Sequence, residues 1–225
     1  MKILFLDTET TGLIRDFDAE YNEQTLSDGT YPYVIEIAYQ LIGYDDDLKN
    51  PEEILKRSAL LKPDFSKEWY ESAVDDVTGI SYDELAKGSN MAYELGHLMC
   101  AITMSDLVVA HNAPFDMKCI KAEMLRLDIH DHLRVRPWFC TMKNFMKFVG
   151  ARSRNGRIKF PRLEELYISL FGEFDRNAHR ASDDVETLRK CFERLIEIGR
   201  IYNAYLTDYI DYYITSHEYY ARFKK

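Results

Sequence analysis

The chain has 225 residues, with 38 acidic and 29 basic side chains, so its formal net charge is -9 at pH 7. This length suits one domain or at most two, and 46% apolar with 30% charged residues excludes a disordered or fibrous chain. No apolar stretch approaches the roughly 20 residues of a membrane span, and the first apolar run is too short for a secretory signal. We therefore expect a globular cytoplasmic protein that makes no membrane contact.

Four apolar runs and one helical stretch in the first half of the chain predict a sheet covered by helices. Apolar runs predict strands at Ile3–Leu6, Tyr33–Ile42, Leu55–Leu61 and Leu107–Ala110, and residues 69–103 between the last two look helical, with breaks near residues 78 and 88. The polar stretch Arg15–Tyr31 predicts a long loop, and long loops in compact domains are commonly functional or mobile.

The second half of the chain predicts mostly helices. One helix begins at Pro114, since proline suits a first helical turn, and two shorter ones at Thr141–Val149 and Arg162–Phe171 flank a basic loop. Ser182 or Asp183 is predicted to cap a long helix that runs to about Arg200. This order of elements predicts an α/β or α+β sheet with polar groups at its strand ends.

A tyrosine-rich segment ends the chain, because seven of the 16 tyrosines fall between Tyr202 and Tyr220. Its apolar positions recur at helical spacing: Ile198, Ile201, Tyr205, Tyr209 and Tyr212. Such a stripe usually packs on the protein's own core. A dimer or partner surface is the alternative, since tyrosine is common at interfaces.

The four cysteines are widely spaced and form no Cys-x-x-Cys pair: Cys100, Cys119, Cys140 and Cys191. The sequence therefore predicts neither a zinc site nor a disulfide framework, which fits a reducing compartment.

Acidic residues cluster at the ends of predicted elements. Asp7 and Glu9 lie two apart after a strand, so both side chains point to one face and repel each other unless a cation lies between them. A helix cap or solvated turn explains Thr10–Gly12 but not these acids. Asp116 and Asp184 each follow a predicted helix start, and each alone also fits a dipole or capping role.

The charge is unevenly distributed, which matters for a polyanionic partner. Residues 118–162 hold 12 basic and three acidic side chains, whereas residues 1–117 hold eight basic and 23 acidic ones. The middle block is therefore a candidate nucleic-acid surface, and a solvated basic face is its alternative.

Three segments resemble the three exonuclease motifs of the DEDDh, or DnaQ-like, 3′-5′ exonuclease family of the RNase H-like superfamily. They are FLDTETTGL (5–13), VAHNAPFDMKCI (109–120) and AHRASDDVETL (178–188). The resemblance implies an RNase H-like α/β fold with a central mixed five-stranded sheet flanked by helices. Residues 1–200 would form the exonuclease domain, and residues 201–225 a Tyr-rich helical extension packed on it.

The resemblance also implies a catalytic set. Matched by position, the metal-ligating acids are Asp7, Glu9, Asp116 and Asp184, and the catalytic histidine is His179; the family spacing selects Asp184 over its neighbour Asp183. The acids would hold two divalent ions, Mg²⁺ or Mn²⁺, about 3.5–4 Å apart. Asp7 would bridge them, Asp116 would act through a metal-bound water, and His179 would serve as general base.

Further matched positions concern the substrate strand. They are Thr10, Thr11, Gly12, Leu13, His111, Asn112 and Phe115 around the terminal nucleotide; core roles for Leu13 and Phe115 and a turn role for Asn112 are the alternatives. In the basic loop, Arg152, Arg154, Arg157 and Lys159 could contact phosphates without reading sequence.

These implications predict a metal-dependent 3′-5′ exonuclease that acts on single-stranded or frayed ends and releases nucleoside 5′-monophosphates, with DNA slightly favoured and a role in DNA replication or repair. An oligoribonuclease-like exoribonuclease, a non-catalytic polymerase-associated subunit and a structural interaction protein are the alternatives. The expected partners are 3′ ends of DNA or RNA, and a polymerase or homodimer contact is a further candidate.

Overall fold

The computed structural model describes residues 1–73, 78–129, 133, 136–174 and 180–222. Within them the chain forms a five-stranded mixed sheet in the order β3-β2-β1-β4-β5. The strands are β1 (Lys2–Thr10), β2 (Val34–Gly43), β3 (Glu52–Leu60), β4 (Leu107–Ala110) and β5 (Trp138–Cys140). The three strands β1 to β3 pair antiparallel, whereas β4 pairs parallel with both β1 and β5. The predicted α/β fold with a central mixed five-stranded sheet is confirmed.

Helices cover both faces of this sheet. They are α1 (Glu23–Ser27), α2 (Lys67–Ala73), α3 (Tyr82–Leu85), α4 (Met91–Met104), α5 (Ala113–Arg126), α6 (Thr141–Asn144), α7 (Met146–Val149), α8 (Leu163–Phe171), α9 (Ala181–Glu197) and α10 (Asn203–Arg222). None of the helices that the structure describes is both long enough and apolar enough to cross a bilayer.

The alternation of β1 decides which helices each of its residues meets. Leu4 and Leu6 are fully buried in a core that includes residues of α4 and α5. Ile3 and Phe5 point to the opposite face, into a second core that includes residues of α8, α9 and α10. Since successive strand residues alternate between faces, Asp7 and Glu9 continue the row of Ile3 and Phe5 toward α9.

Aromatic packing fixes α9 against this face. The rings of Phe5 and Phe192 meet edge to face with their centroids 5.3 Å apart, and both side chains are fully buried. Burying a side chain of this size stabilises the fold by about 1.5–3 kcal/mol. Core packing close to the acidic end of β1 therefore sets the position of α9 relative to that strand.

Some predicted elements differ from the observed ones. β1 continues to Thr10 rather than ending at Leu6, and β5, which the sequence analysis did not locate, is only three residues long. The helix predicted over Thr141–Val149 is two short helices separated at Phe145, whose buried ring packs against Phe139 with centroids 6.2 Å apart. The Arg15–Tyr31 loop contains the short helix α1.

Most of the tyrosine-rich segment forms α10, and the first half of this helix packs on the core. Ile201 and Leu206 are fully buried in the core on the α9 side, and Tyr205 and Tyr209 pack against that core. The Tyr209 hydroxyl donates a hydrogen bond to the backbone carbonyl of Trp138 at 2.6 Å. Tyr212, by contrast, is 75% exposed.

Candidate active site

Three carboxylates meet where β1 ends beside the first turn of α9. One oxygen from each of Asp7, Glu9 and Asp184 lies within 4.8 Å of the other two, and all three residues are half-buried. Such closely spaced negative charges repel each other, and a hard divalent cation between carboxylate oxygens would relieve that repulsion. The donor set therefore fits Mg²⁺ or Mn²⁺.

The structure distinguishes between the two adjacent acids that the sequence offers for this site. Asp183 and Asp184 both lie in that turn, and the structure brings Asp184 toward Asp7 and Glu9. Among the described residues, the three-carboxylate group does not include Asp183.

The predicted cap of α9 by Ser182 or Asp183 is wrong. The helix begins at Ala181, and Arg180 is its N-cap residue, without a side-chain capping bond of its own. The backbone N–H of Ala181 instead donates to Glu36 of β2 at 3.1 Å. Because a residue from a neighbouring strand satisfies this helix end, the local sequence pattern could not predict where the helix starts.

Asp116 reaches β1 through Thr8, which lies between the two acids of the strand. Both the backbone N–H and the hydroxyl of Thr8 donate to Oδ1 of Asp116, at 3.1 and 2.9 Å. The side chain of Asp116 is 3% exposed, and this burial raises its pKa to about 7, against the lowering effect of the Thr8 hydrogen bonds. Asp116 thus stands in the first turn of α5, joined to the strand that carries Asp7 and Glu9.

The other predicted catalytic group is His179. It falls within residues 175–179, outside the described residues. The described chain resumes at Arg180, directly before α9.

A cavity of about 950 Å³ opens beside the carboxylates. Its lining includes Glu9 and five of the predicted substrate-contacting residues, which are Thr10, Thr11, Gly12, Leu13 and Phe115. Leu13 is 82% exposed, and a Cβ added to Gly12 would meet no other residue within 4 Å. The first motif therefore presents its backbone and Leu13 to open space next to Glu9.

His111 and Asn112 are not among the residues that line this cavity. The His111 ring is hydrogen-bonded to the Pro161 carbonyl through Nε2 and to the Thr141 hydroxyl through Nδ1, both at 2.9 Å. Since a carbonyl can only accept, Nε2 carries the proton and Nδ1 accepts from Thr141. Burial lowers the pKa of His111 to about 4, so the ring is neutral at pH 7.

The predicted phosphate-binding arginines lie apart from the cavity lining. Arg152, Arg154 and Arg157 are exposed on a short turn closed by an isolated antiparallel bridge between Arg152 and Ile158. Arg152 donates to the Gly156 carbonyl at 2.7 Å, and Lys159 pairs with Glu165 at 2.7 Å. Arg154 and Arg157 are therefore the better candidates for contact with a polyanion.

Three aromatic residues of the cavity lining were not predicted as site residues: Tyr33, Phe65 and Trp69. Phe65 and Trp69 follow β3 in an otherwise polar segment, and Trp69 is 37% exposed. A tryptophan in a polar segment is a usable signal, because a core role would place it within an apolar periodic pattern. Phe65, by contrast, also packs on the core around Tyr70 and Ile80.

Comparison with known proteins identifies the class. A family model described as Exonuclease (RNase T) matches residues 4–192, and the chain belongs to this exonuclease family, of the DEDDh, DnaQ-like type in the RNase H-like superfamily. The match ends before α10. No curated protein matches the chain by sequence.

The solved structures that share the fold include the following two. One is cell-death related nuclease 4 (CRN-4), with a TM-score of 0.62, 16% identity, and coverage of 88% of this chain and 64% of that one. The other is the Saccharomyces cerevisiae Pan2 pseudoubiquitin hydrolase-RNA exonuclease module in complex with AAGGAA RNA, with a TM-score of 0.51, 12% identity, and coverage of 100% of this chain and 33% of that one. The chain thus spans less than two thirds of either neighbour's length.

Proposed function

We propose that this protein is a divalent-metal-dependent 3′-5′ exonuclease that hydrolyses phosphodiester bonds at the end of a single strand and releases nucleoside 5′-monophosphates. The observation that carries the proposal is the meeting of Asp7, Glu9 and Asp184 within 4.8 Å at the edge of an open cavity. Membership of the exonuclease family supports the reaction class.

The residues that would hold metal are the three grouped carboxylates together with Asp116. Two bound divalent ions would supply charge stabilisation for the attacking and leaving oxygens of the phosphodiester. The chain's own part is to hold the acids in place: β1 fixes Asp7 and Glu9 through its pairing with β2, and the first turn of α9 fixes Asp184. Thr8 orients Asp116 by two hydrogen bonds to one oxygen.

His179 is the proposed general base. This role rests on the match of AHRASDDVETL (178–188) to the third family motif and on the pKa of an ordinary histidine, about 6.5, which suits proton transfer near neutral pH. Its place in the chain, one residue before Arg180 and five before Asp184, supports the proposal.

The proposed substrate is the 3′ end of unpaired DNA, with RNA as the second candidate. The preference for DNA comes from the likeness of the motifs to the proofreading branch of the family. The RNA alternative has its own support, because the Pan2 module to which the fold is similar is an RNA exonuclease bound to RNA. A polymerase or dimer contact stays a prediction.

The deciding experiment uses single-stranded DNA and RNA of one sequence, labelled at the 5′ end, with Mg²⁺ or Mn²⁺. We expect ladders that shorten from the 3′ end, that disappear in EDTA, and that are absent with Asp7→Ala. Release of the label as a mononucleotide from the start, without intermediate lengths, would contradict the polarity. Binding without cleavage of either strand would favour the non-catalytic alternative.

A further inference from the structure

Three aromatic rings form one wall of the cavity beside the carboxylates. The ring centroids of Phe65 and Trp69 are 4.9 Å apart, and those of Tyr33 lie 5.1 and 5.6 Å from Phe65 and Trp69. All three residues line the same cavity as Glu9. Aromatic faces in a solvent-accessible cavity are the usual surface on which unpaired nucleobases stack.

This wall is held from behind. The Arg126 guanidinium lies 4.1 Å from the Tyr33 ring centroid and donates to the Tyr31 carbonyl at 2.6 Å. Phe65 stacks on Tyr70, whose hydroxyl donates to the Ile80 carbonyl at 2.7 Å. A wall whose rings are already supported loses little side-chain freedom when a ligand packs on it.

The loop between β1 and β2 supplies other parts of the cavity lining. Arg15, Ser27, Asp28 and Gly29 of this loop all line the cavity. Arg15 is the one positively charged side chain in the lining that the structure describes, and it donates to the Asp28 carbonyl at 3.1 Å. A guanidinium has five N–H donors, so this bond leaves others that can meet a phosphate oxygen.

We propose that the Tyr33–Phe65–Trp69 wall and Arg15 form a subsite for an unpaired nucleotide of the substrate strand, next to the one at the carboxylates. Its base stacks on Trp69 and Phe65, and its phosphate lies toward Arg15. This inference rests on the proposed function, which places the end of the strand at Glu9. Because stacking uses the face of a base, the subsite is tolerant of sequence, and a base paired in a duplex is not free to enter it.

Tryptophan fluorescence tests the stacking without any catalysis. The chain has two tryptophans: Trp69 in the wall and Trp138, which is 5% exposed and donates to the Leu133 carbonyl. In EDTA, hexathymidylate should quench the wild-type emission, whereas a hexamer of abasic phosphodiester units should not. In Trp69→Phe the remaining Trp138 emission should not respond to either probe, because its ring is in the core.

Kinetics on single-stranded DNA give the second readout. Trp69→Ala should raise KM by roughly 5- to 150-fold, the range expected for losing one base–aromatic stack, with kcat nearly unchanged. Trp69→Phe, which keeps a ring, should stay within about threefold of the wild type. Tyr212→Ala is the matched control, since it removes an exposed ring that is not in the cavity lining. Thermal melts show whether each variant is folded.

The outcomes separate the subsite from the proposed function. Hydrolysis of single strands, with neither quenching nor a change in KM for Trp69→Ala, would overturn the subsite and leave the exonuclease intact. Quenching by hexathymidylate without hydrolysis in Mg²⁺ or Mn²⁺ would support the subsite and overturn the function. Equal quenching by the abasic hexamer would reject stacking.

Discussion

The carboxylate of Glu36 accepts hydrogen bonds from Arg180 at 3.2 Å and so joins β2 to the residue that precedes α9. Glu36 is 1% exposed, and it pairs in register with Glu9 on the neighbouring strand. A further carboxylate thus lies near the candidate metal site, but its charge is compensated by Arg180. We interpret Glu36 as a positioning residue that holds the first turn of α9, and with it Asp184.

Replacing Glu36 tests this role. Glu36→Gln should lower the free energy of unfolding by about 1–3 kcal/mol, less than for a fully buried pair because the Arg180 side chain is 36% exposed. It should also raise the Mg²⁺ concentration needed for half-maximal activity. Glu197→Gln, which breaks the exposed pair with Arg194, is the control and should change stability by at most about 1 kcal/mol. Equal effects of the two substitutions would count against the assignment.

Two adjacent aspartates give a matched test of the metal site. Asp184→Asn should abolish the stabilisation of the fold by Mn²⁺ and lower activity by about 100-fold or more, whereas Asp183→Asn should keep both. In EDTA, Asp184→Asn should be more stable than the wild type, because it removes one of three mutually repelling carboxylates. Thermal melts with and without Mn²⁺ measure both effects. Loss of the Mn²⁺ response in Asp183→Asn alone would reassign the ligand.

His111 predicts a pH dependence of stability. Its pKa is lower in the folded protein, about 4, than the ordinary 6.5, so on acidification the unfolded chain binds the proton first. The stabilisation, at most about 3 kcal/mol, is therefore complete above pH 6.5 and is lost as the pH falls from 6.5 toward 4. Denaturant unfolding between pH 7 and 4.5 measures it.

The variant His111→Gln should flatten this part of the pH profile, because an amide can still meet Pro161 and Thr141 but does not titrate. His97 is exposed on α4, and His97→Gln should leave the profile as in the wild type. An unchanged pH profile in His111→Gln would show that other groups cause the acid lability.

Arg154 and Arg157 test the basic loop. Replacing both by Gln should raise KM for single-stranded DNA and reduce the slope of log KM against log salt by about 1.4, if each neutralises one phosphate. Lys49→Gln, at an exposed lysine in the loop between β2 and β3, should leave the slope unchanged. A salt response identical to the wild type would remove the loop from the binding surface.

The sequence was sufficient to predict four of the five strands and the face of β1 on which Asp7 and Glu9 lie. Strand periodicity alone places Asp7 and Glu9 on one face, and the core row of Ile3 and Phe5 confirms that face. The choice between Asp183 and Asp184 needed the family spacing, because both fit a first helical turn and only the packing of α9 decides which one meets β1.

Other features depend on contacts that are distant in sequence. The start of α9 is satisfied by Glu36, 145 residues earlier in the chain, so no local capping signal marks it. The motif predicts that His111 is a pocket residue, yet its hydrogen-bond partners Thr141 and Pro161 are 30 and 50 residues away. The aromatic wall combines Tyr33 with Phe65 and Trp69, which lie beyond the next two strands, and no pattern within either segment joins them.

The hydrogen bonds between Thr8 and Asp116 have a consequence for local opening. β4 pairs with β1 only at residues 3–5, and beyond this point a side chain rather than a strand accepts the amide hydrogen of Thr8. Hydrogen exchange of the Thr8 amide in deuterated water therefore reports whether the Asp116 carboxylate accepts its hydrogen bond. Both bonds fall on Oδ1, so a cation that binds Oδ2 should slow the exchange, whereas one that pulls Oδ1 away should speed it.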